Sequence, residues 1–584
     1  MRLEEYWGVG PKTRETLEAE LGTQQAVAAI ENGDVRALTD AGIPRGRATR
    51  ILRRAIGDDG VDRLATSDAR DAYKDVLELL VEHAVTERAA DRVRVLTPLE
   101  SREAMTERLD AVLDARDVWV SLADGDREAV LAAYERYDDR EGSERAAVEA
   151  TLALQEAGVE GGPFEAVADL ERETLEDAAS ALSALADGRV REGADEKLDR
   201  LRETLETIED LDANARELID DLHAGGARDV SRFREAFEDR LVNDTDVTID
   251  RVREAMAADP VDATDFVRTT LRNLQSDLRS AIDEREQTVA SDLEATIDDA
   301  REEIDRAVSA VDETALVVSL ARFALAYDCT RPTYLEGDRE AIAVRNARNL
   351  ALAARGDLTV QPVTYALGDH GLAGGEQKQM PGEERVAVLT GANSGGKTTL
   401  LETLCQVVLL ASMGLPVPAD RAEVTPVERI VFHRRHASFN AGVLESTLRA
   451  IVPPLADGGR TLMLVDEFEA ITEPGSAADL LHGLVRLTVD RDALGVFVTH
   501  LADDLEPLPP TARVDGIFAE GLDPDLELQV DYQPRFGTVG RSTPEFIVSR
   551  LLANASDRTE RAGFETLAEA VGQETVQRTL ADAR

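Results

Sequence analysis

The chain has 584 residues, enough for several domains. Acidic residues outnumber basic ones 116 to 66, a net charge of −50, yet 43% of residues are apolar and clearly periodic, which excludes a disordered polyelectrolyte. An acidic coat of this kind suits a salt-rich cytoplasm and leaves nucleic acid open as a partner, so a local basic cluster stands out. Cys329 and Cys405 lie in predicted core segments, with neither disulfide nor zinc spacing. Met1-Arg2-Leu3-Glu4-Glu5 is no signal peptide, and no apolar run is long enough for a membrane span. A cytoplasmic protein with no membrane partner is expected.

Residues 1–57 form the first predicted unit. Gly8-Val9-Gly10-Pro11-Lys12 and Gly42-Ile43-Pro44-Arg45-Gly46 each sit between short helical patterns. The pair resembles a tandem helix-hairpin-helix module, which implies contact with duplex DNA phosphates through hairpin amides. Pro44 removes one such donor from the second hairpin. Between residues 45 and 54 stand Arg45, Arg47, Arg50, Arg53 and Arg54 without an acid. The candidate DNA contacts are Gly8, Gly10, Lys12, Gly42, Arg45, Arg47 and Arg50; a protein-docking module with a solvated basic face is the other reading.

Residues 60–165 read as core helices without a catalytic constellation, and His83 in them as structural. Residues 166–312 are nearly all helix-forming. Leu198, Leu201, Leu205, Ile208 and Leu211 recur in one arm, and Leu271, Leu274, Leu278, Ile282, Leu293, Ile297 and Ile304 in the other. Gly225-Gly226 and Asn243-Asp244-Thr245-Asp246 lie between them. The spacing predicts long antiparallel helices, as a coiled coil or as a helical bundle. Residues 313–345 read as a return to the helical core.

From 346 to 550 the pattern is that of an α/β domain. Val386-Ala387-Val388-Leu389 reads as a buried strand. Gly391-Ala392-Asn393-Ser394-Gly395-Gly396-Lys397-Thr398 then fits Gly-x-x-x-x-Gly-Lys-[Ser/Thr], and Leu400, Leu401, Leu404, Val407, Val408 and Ala411 follow at helical spacing. A strand, a glycine-rich turn and a helix N-terminus aim backbone N–H groups at a phosphate. Lys397 would reach the β- and γ-phosphates, Thr398 would hold Mg²⁺, and Thr399 belongs to the same nucleotide-binding run. ATP and Mg²⁺ are the expected cofactors. Thr461-Leu462-Met463-Leu464-Val465-Asp466-Glu467 is an apolar strand ending in two acids: Asp466 for the metal, Glu467 as base for the attacking water. Gly495-Val496-Phe497-Val498-Thr499-His500 is another such strand, and His500 is a second catalytic candidate. Residues 551–584 read as C-terminal helices.

The order of these motifs, with Leu316-Val317-Val318-Ser319-Leu320-Ala321 ahead of them, resembles the MutS family, in its MutS-two-like branch lacking the mismatch-reading domain. Phe164-Glu165-Ala166 does not fit the family's Phe-x-Glu wedge, and no added nuclease domain is expected at the C-terminus. The family commonly has Arg-His-Pro where this chain has Arg348-Asn349-Leu350. The resemblance implies an ABC-type P-loop ATPase domain on a helical core with coiled-coil arms. It implies a homodimer with sites completed in trans, and a nucleotide cycle that moves the arms around double-stranded or branched DNA in repair or recombination. It also implies an aromatic on adenine, for which Tyr365 is the candidate unless it is a core tyrosine. Ser438, within His436-Ala437-Ser438-Phe439-Asn440-Ala441-Gly442, resembles the family's signature serine, and Ala470-Ile471-Thr472-Glu473-Pro474-Gly475-Ser476-Ala477-Ala478 resembles the loop that crosses the dimer interface. A ribosome-rescue ATPase is the alternative function. A structural chromosome ATPase of the SMC kind fits less well, because both nucleotide motifs here follow the arms together.

Overall fold

The computed structural model describes residues 3, 6, 8–31, 33–56, 60–140, 142–186, 188–225, 229–337, 339–357, 359–372, 380–391, 396–435, 441–471, 474–523, 526, 528–540 and 544–582. It divides into two compact units, residues 1–131, 160–164 and 312–584, and residues 132–159 and 165–311.

The first unit begins with four short helices, Pro11–Glu20, Gly22–Glu31, Val35–Asp40 and Arg45–Ile56. Proline opens the first helix, where its missing N–H costs nothing. Asp34 caps the third, accepting from Ala37 N at 2.9 Å. Leu17, Ala26, Ile30, Leu38, Ala48, Ile51 and Leu52 bury a small core between them. Gly8 and Gly42 start the two turns with φ of +84° and +86°. Each turn packs on the helix that follows the other: a Cβ on Gly8 would lie 3.1 Å from Ile51, and one on Gly42 3.8 Å from Thr16.

The α/β part of this unit is built on a six-stranded sheet. Its order is Leu528–Phe536, Ala512–Leu522, Val386–Gly391, Leu494–Val498, Thr461–Asp466 and Arg429–His433. The last five strands are parallel, and Leu528–Phe536 runs antiparallel at one edge. The central strands are apolar on both faces, as parallel strands covered on both sides must be. Residues 64–66 cover the opposite edge. Ala65 N donates to the Ile430 carbonyl at 3.0 Å, and the Thr66 hydroxyl bridges the backbone of Phe432. An edge strand that would offer free backbone groups is thereby paired.

A second sheet orders Thr333–Tyr334, Arg421–Val424, Ala341–Ala347 and Val363–Gly368. Ala341–Ala347 is antiparallel to both neighbours, so strand structure starts ahead of 346, within the stretch read as a return to the helical core. The helix Lys397–Ser412 is buried along nearly its whole length. It shares one core with Tyr73, Leu320 and Phe323 from helices and with residues of both sheets.

Among the described residues the second unit is helical apart from its loops and a two-stranded ribbon, Leu185–Ala186 with Arg189–Val190. One helix, Ala263–Asp299, runs for 37 residues, about 55 Å. Glu196–Ala213 lies antiparallel on it, as Asp195 with Arg285 (2.6 Å) and Glu209 with Arg279 (2.6 Å) show. The first arm is not one helix: it continues as Ala215–Ala224, Val230–Asp244 and Ile249–Ala255. These close a local core around Phe233, Phe237, Val252, Phe266 and Leu271. The unit is thus a bundle at that end rather than a plain pair of arms. It also takes in residues 132–159, which the sequence assigns to the helical core.

Candidate nucleotide site

Sheet register brings three motifs to one edge. Leu389, Val498 and Asp466 stand in one row across the P-loop, Thr-His and Asp-Glu strands, so all three chains leave the sheet together at its carboxyl end. That edge, where the strand order reverses its sense of connection, is where α/β sheets bind ligands. Thr499 N donates to the Leu389 carbonyl at 3.1 Å and Glu467 N to the Val498 carbonyl at 3.0 Å, which fixes the three loops relative to one another.

Gly391 ends the P-loop strand at φ +134°, and a Cβ there would strike the Ile517 carbonyl. Ala392, Asn393, Ser394 and Gly395 lie outside the described residues, as does Ser438. Gly396 resumes at φ +71° as the N-cap of the helix, and a Cβ on it would be 2.8 Å from the Tyr532 ring. Lys397 is buried, with Nζ donating to the Gly391 carbonyl at 2.9 Å. Burial pushes its ammonium below the usual lysine range, while Glu467, Asp466 and Glu469 pull it back up. Thr399 lies in the first turn, its carbonyl accepting from Thr403 at 2.7 Å.

The Thr398 hydroxyl donates to Asp466 Oδ2 at 2.6 Å. Asp466 is only 2% exposed, and its Oδ1 is buried without a hydrogen-bond partner. Burial raises its carboxyl above the usual range, opposed by the Thr398 hydrogen bond. A hydroxyl and a carboxylate in contact, with one buried acceptor unsatisfied, fit a hard divalent cation such as Mg²⁺.

Glu467 and His500 come together: Glu467 Oε1 is 3.3 Å from His500 Nε2. Two further residues at this point carry no sequence signal. Glu469 accepts from the Thr499 hydroxyl at 2.9 Å and from His500 N at 2.6 Å, and its other oxygen is buried and unpartnered. Arg435 Nη1 holds Glu467 Oε2 at 2.7 Å.

Tyr365 is corrected. Its ring is fully buried, with the hydroxyl donating to Asp515 Oδ2 at 2.8 Å and Arg513 stacked 5.6 Å from its centroid. No face of that ring is open to a base, so it is a core tyrosine. Asp515 also accepts from Gly537 N at 3.1 Å, while Thr390 takes the bond from Gly540 N at 2.6 Å. This buried network backs the P-loop. The aromatic beside the loop is Tyr532, 39% exposed over Gly396. Arg348-Asn349-Leu350 meets the P-loop helix from outside: Asn349 Nδ2 donates to Thr403 at 3.2 Å and Leu350 N to Gln406 at 2.9 Å.

At the N-terminal hairpins the five arginines do not share one open face. Arg45 pairs with the buried Asp91, Arg53 donates to the Arg94 carbonyl at 2.8 Å and lies over Tyr73, and Arg54 chelates Asp62. Among the described residues Arg47 reaches only the Gly8 carbonyl, at 3.4 Å, and Arg50 is exposed. Gly8 and Lys12 are exposed too, with Gly10 partly so. The second hairpin, at Gly42, instead faces Glu87 and Asp91. The spacing of arginines along the chain does not reveal this, because Asp91, which neutralises Arg45, lies some 46 residues away.

Fold and site together define an α/β domain with a buried lysine and an acidic pair at the carboxyl edge of its sheet. Residues 387–500 match the family described as MutS domain V. The DNA-binding protein MutS2 of Pyrococcus furiosus is 48% identical over 194 residues, 33% of this chain and 34% of that protein. The endonuclease MutS2 of Thermus thermophilus is 31% identical over 175 residues, 29% and 23% of the two chains. The DNA mismatch repair protein MutS of Natronomonas pharaonis is 26% identical over 529 residues, 83% of this chain and 53% of that one. The chain thus spans between about a quarter and a half of these relatives. Over residues 387–500 it is similar to MutS domain V, and over part of its length to MutS2 and MutS proteins. Among the described residues, no helix is long and apolar enough to cross a membrane, and both cysteines are buried and free.

Proposed function

We propose that the chain is a MutS-like ATPase that binds DNA and serves repair or recombination. The observation that carries this reading is the convergence of Lys397, Thr398, Asp466, Glu467 and His500 at one sheet edge. Lys397 and the helix N-terminus behind Gly396 bind phosphate, and Tyr532 offers its ring to the base. Thr398 and Asp466 hold Mg²⁺, which when bound screens the phosphate charge. Glu467 takes the proton of the attacking water, and His500 orients that water or the phosphate. Two copies complete each other's sites, with Ser438 as the residue given in trans, and the cycle drives the long helices around duplex or branched DNA. The names of the Pyrococcus furiosus and Natronomonas pharaonis relatives speak of DNA, and none of the three names speaks of a ribosome.

Turnover of Mg-ATP by the full chain, with and without branched duplex, tests the reading. Glu467→Gln should still bind ATP and lose turnover by about a hundredfold or more. A Glu467→Gln variant that hydrolyses ATP at the wild-type rate overturns the assignment of the base.

A further inference from the structure

Glu467 leaves its strand at φ +43°, a conformation few residues other than glycine adopt. Both oxygens of its carboxylate have partners: Oε1 faces His500, and Oε2 holds the Arg435 guanidinium at 2.7 Å. Arg435 follows the edge strand Arg429–His433 closely and belongs to no motif. Its neighbour Arg434 is tied to Glu402 at 3.1 Å, so the backbone that presents Arg435 is anchored. The Glu467 side chain is 11% exposed and that of Arg435 57%, so one partner is fixed in the site and the other reaches in from solvent.

We propose that Arg435 is an autoinhibitory latch: its guanidinium occupies the face of Glu467 where the attacking water must bind, and hydrolysis starts only when the pair opens. The inference rests on Glu467 being the general base. A water that is to give up a proton must sit roughly 2.6–3.2 Å from a carboxylate oxygen. A guanidinium nitrogen already stands at that distance from Oε2. The bond is charge-assisted and directional, which holds the resting state. Its half-exposed partner keeps it weak, so the latch opens readily. The pair also lies within the field that Lys397 feels, together with Asp466 and Glu469. The phosphates of an incoming nucleotide therefore offer the guanidinium a second anion.

The test is steady-state Mg-ATP turnover by the full chain and four variants: Arg435→Gln, Arg435→Lys, Glu467→Gln and the double variant Arg435→Gln/Glu467→Gln. The latch requires Arg435→Gln to raise kcat about fivefold with KM within about twofold of wild type. Arg435→Lys, which keeps a cation beside the carboxylate, should stay near the wild-type rate. The double variant should be as inactive as Glu467→Gln, since the gain runs through that carboxylate. Arg435→Met, neutral and equally long, gives the same readout if the glutamine variant does not fold. Unchanged or lower kcat in Arg435→Gln, with ATP still bound in a titration, overturns the latch and leaves the base assignment standing. Wild-type turnover by Glu467→Gln removes the base and the latch together.

Discussion

Glu469 shows how much of a site rests on residues that touch no substrate. One of its oxygens holds both the Thr499 hydroxyl and the His500 N–H. Glu469→Ala leaves those two donors without an acceptor and lets the His500 loop drift from Glu467. The expected result is a fall in kcat of at least about tenfold at nearly constant KM, because a small misplacement of a catalytic group is costly while phosphate binding is untouched. Glu469→Gln, whose amide oxygen can still accept both bonds, should recover most of the rate. An alanine variant with wild-type kcat removes Glu469 from the positioning set. Nothing in the sequence marks this residue: a glutamate two positions after Asp-Glu reads as a solvated surface acid. Asp466, Glu467 and His500 were legible because each ends an apolar run, and such runs become adjacent parallel strands. Tyr365 was misread for a related reason. An aromatic in a strand ahead of a P-loop says nothing about which face it takes, and here Asp515, 150 residues later, claims it together with Arg513. Tyr532 sits in a mixed polar run, Leu528–Phe536, whose closeness to Gly396 is a product of sheet order alone.

Among the elements, those with strict spacing came through best. The P-loop strand and helix and the two strands ending in Asp-Glu and Thr-His were visible as apolar runs bounded by polar residues. The broken first arm was legible only in part: Gly225-Gly226 and Asn243-Asp244-Thr245-Asp246 mark its joints, but only the tertiary core shows that Ala215–Ala224, Val230–Asp244 and Ile249–Ala255 fold back into a bundle. The edge cover at residues 64–66 was equally hidden: it is a short stretch that pairs with a segment 366 positions away. Its anchor is one hydroxyl that donates to the Phe432 carbonyl at 2.6 Å and accepts from Phe432 N at 3.1 Å, both buried. Thr66→Val keeps the shape and leaves both backbone groups of Phe432 unsatisfied. A loss of about 1–3 kcal/mol is expected in chemical denaturation. Because Arg434 and Arg435 follow this strand, the nucleotide-free site should loosen with it. A variant within about 0.5 kcal/mol of wild type would mean that the edge strand does not depend on this cover.

At the scale of the whole molecule the net charge of −50 sets the terms on which any polyanion is met. An arginine paired with a neighbouring acid has spent its charge, and at exposed sites such pairs add little stability. A DNA surface must therefore come from cations left over after folding. On the N-terminal helices, Arg45 and Arg54 are spent on Asp91 and Asp62, and Arg53 is turned onto the Arg94 carbonyl and the Tyr73 ring. Lys12, Arg47 and Arg50 remain exposed, with Arg47 reaching the first turn at Gly8, while the second turn looks toward Glu87 and Asp91. The two groups should separate cleanly by experiment. Arg47→Glu with Arg50→Glu in the full chain should weaken binding to duplex DNA of any sequence and lower the slope of log affinity against log salt by roughly 1 for each phosphate no longer neutralised. ATP turnover without DNA and the melting temperature should stay as in wild type. Arg53→Ala should do the reverse, lowering the melting temperature through removal of its carbonyl bond and its packing on Tyr73, with little change in the salt slope. A double glutamate variant that binds DNA as tightly as wild type across the whole salt titration would turn the N-terminal helices from a phosphate-contacting surface into a protein-docking one.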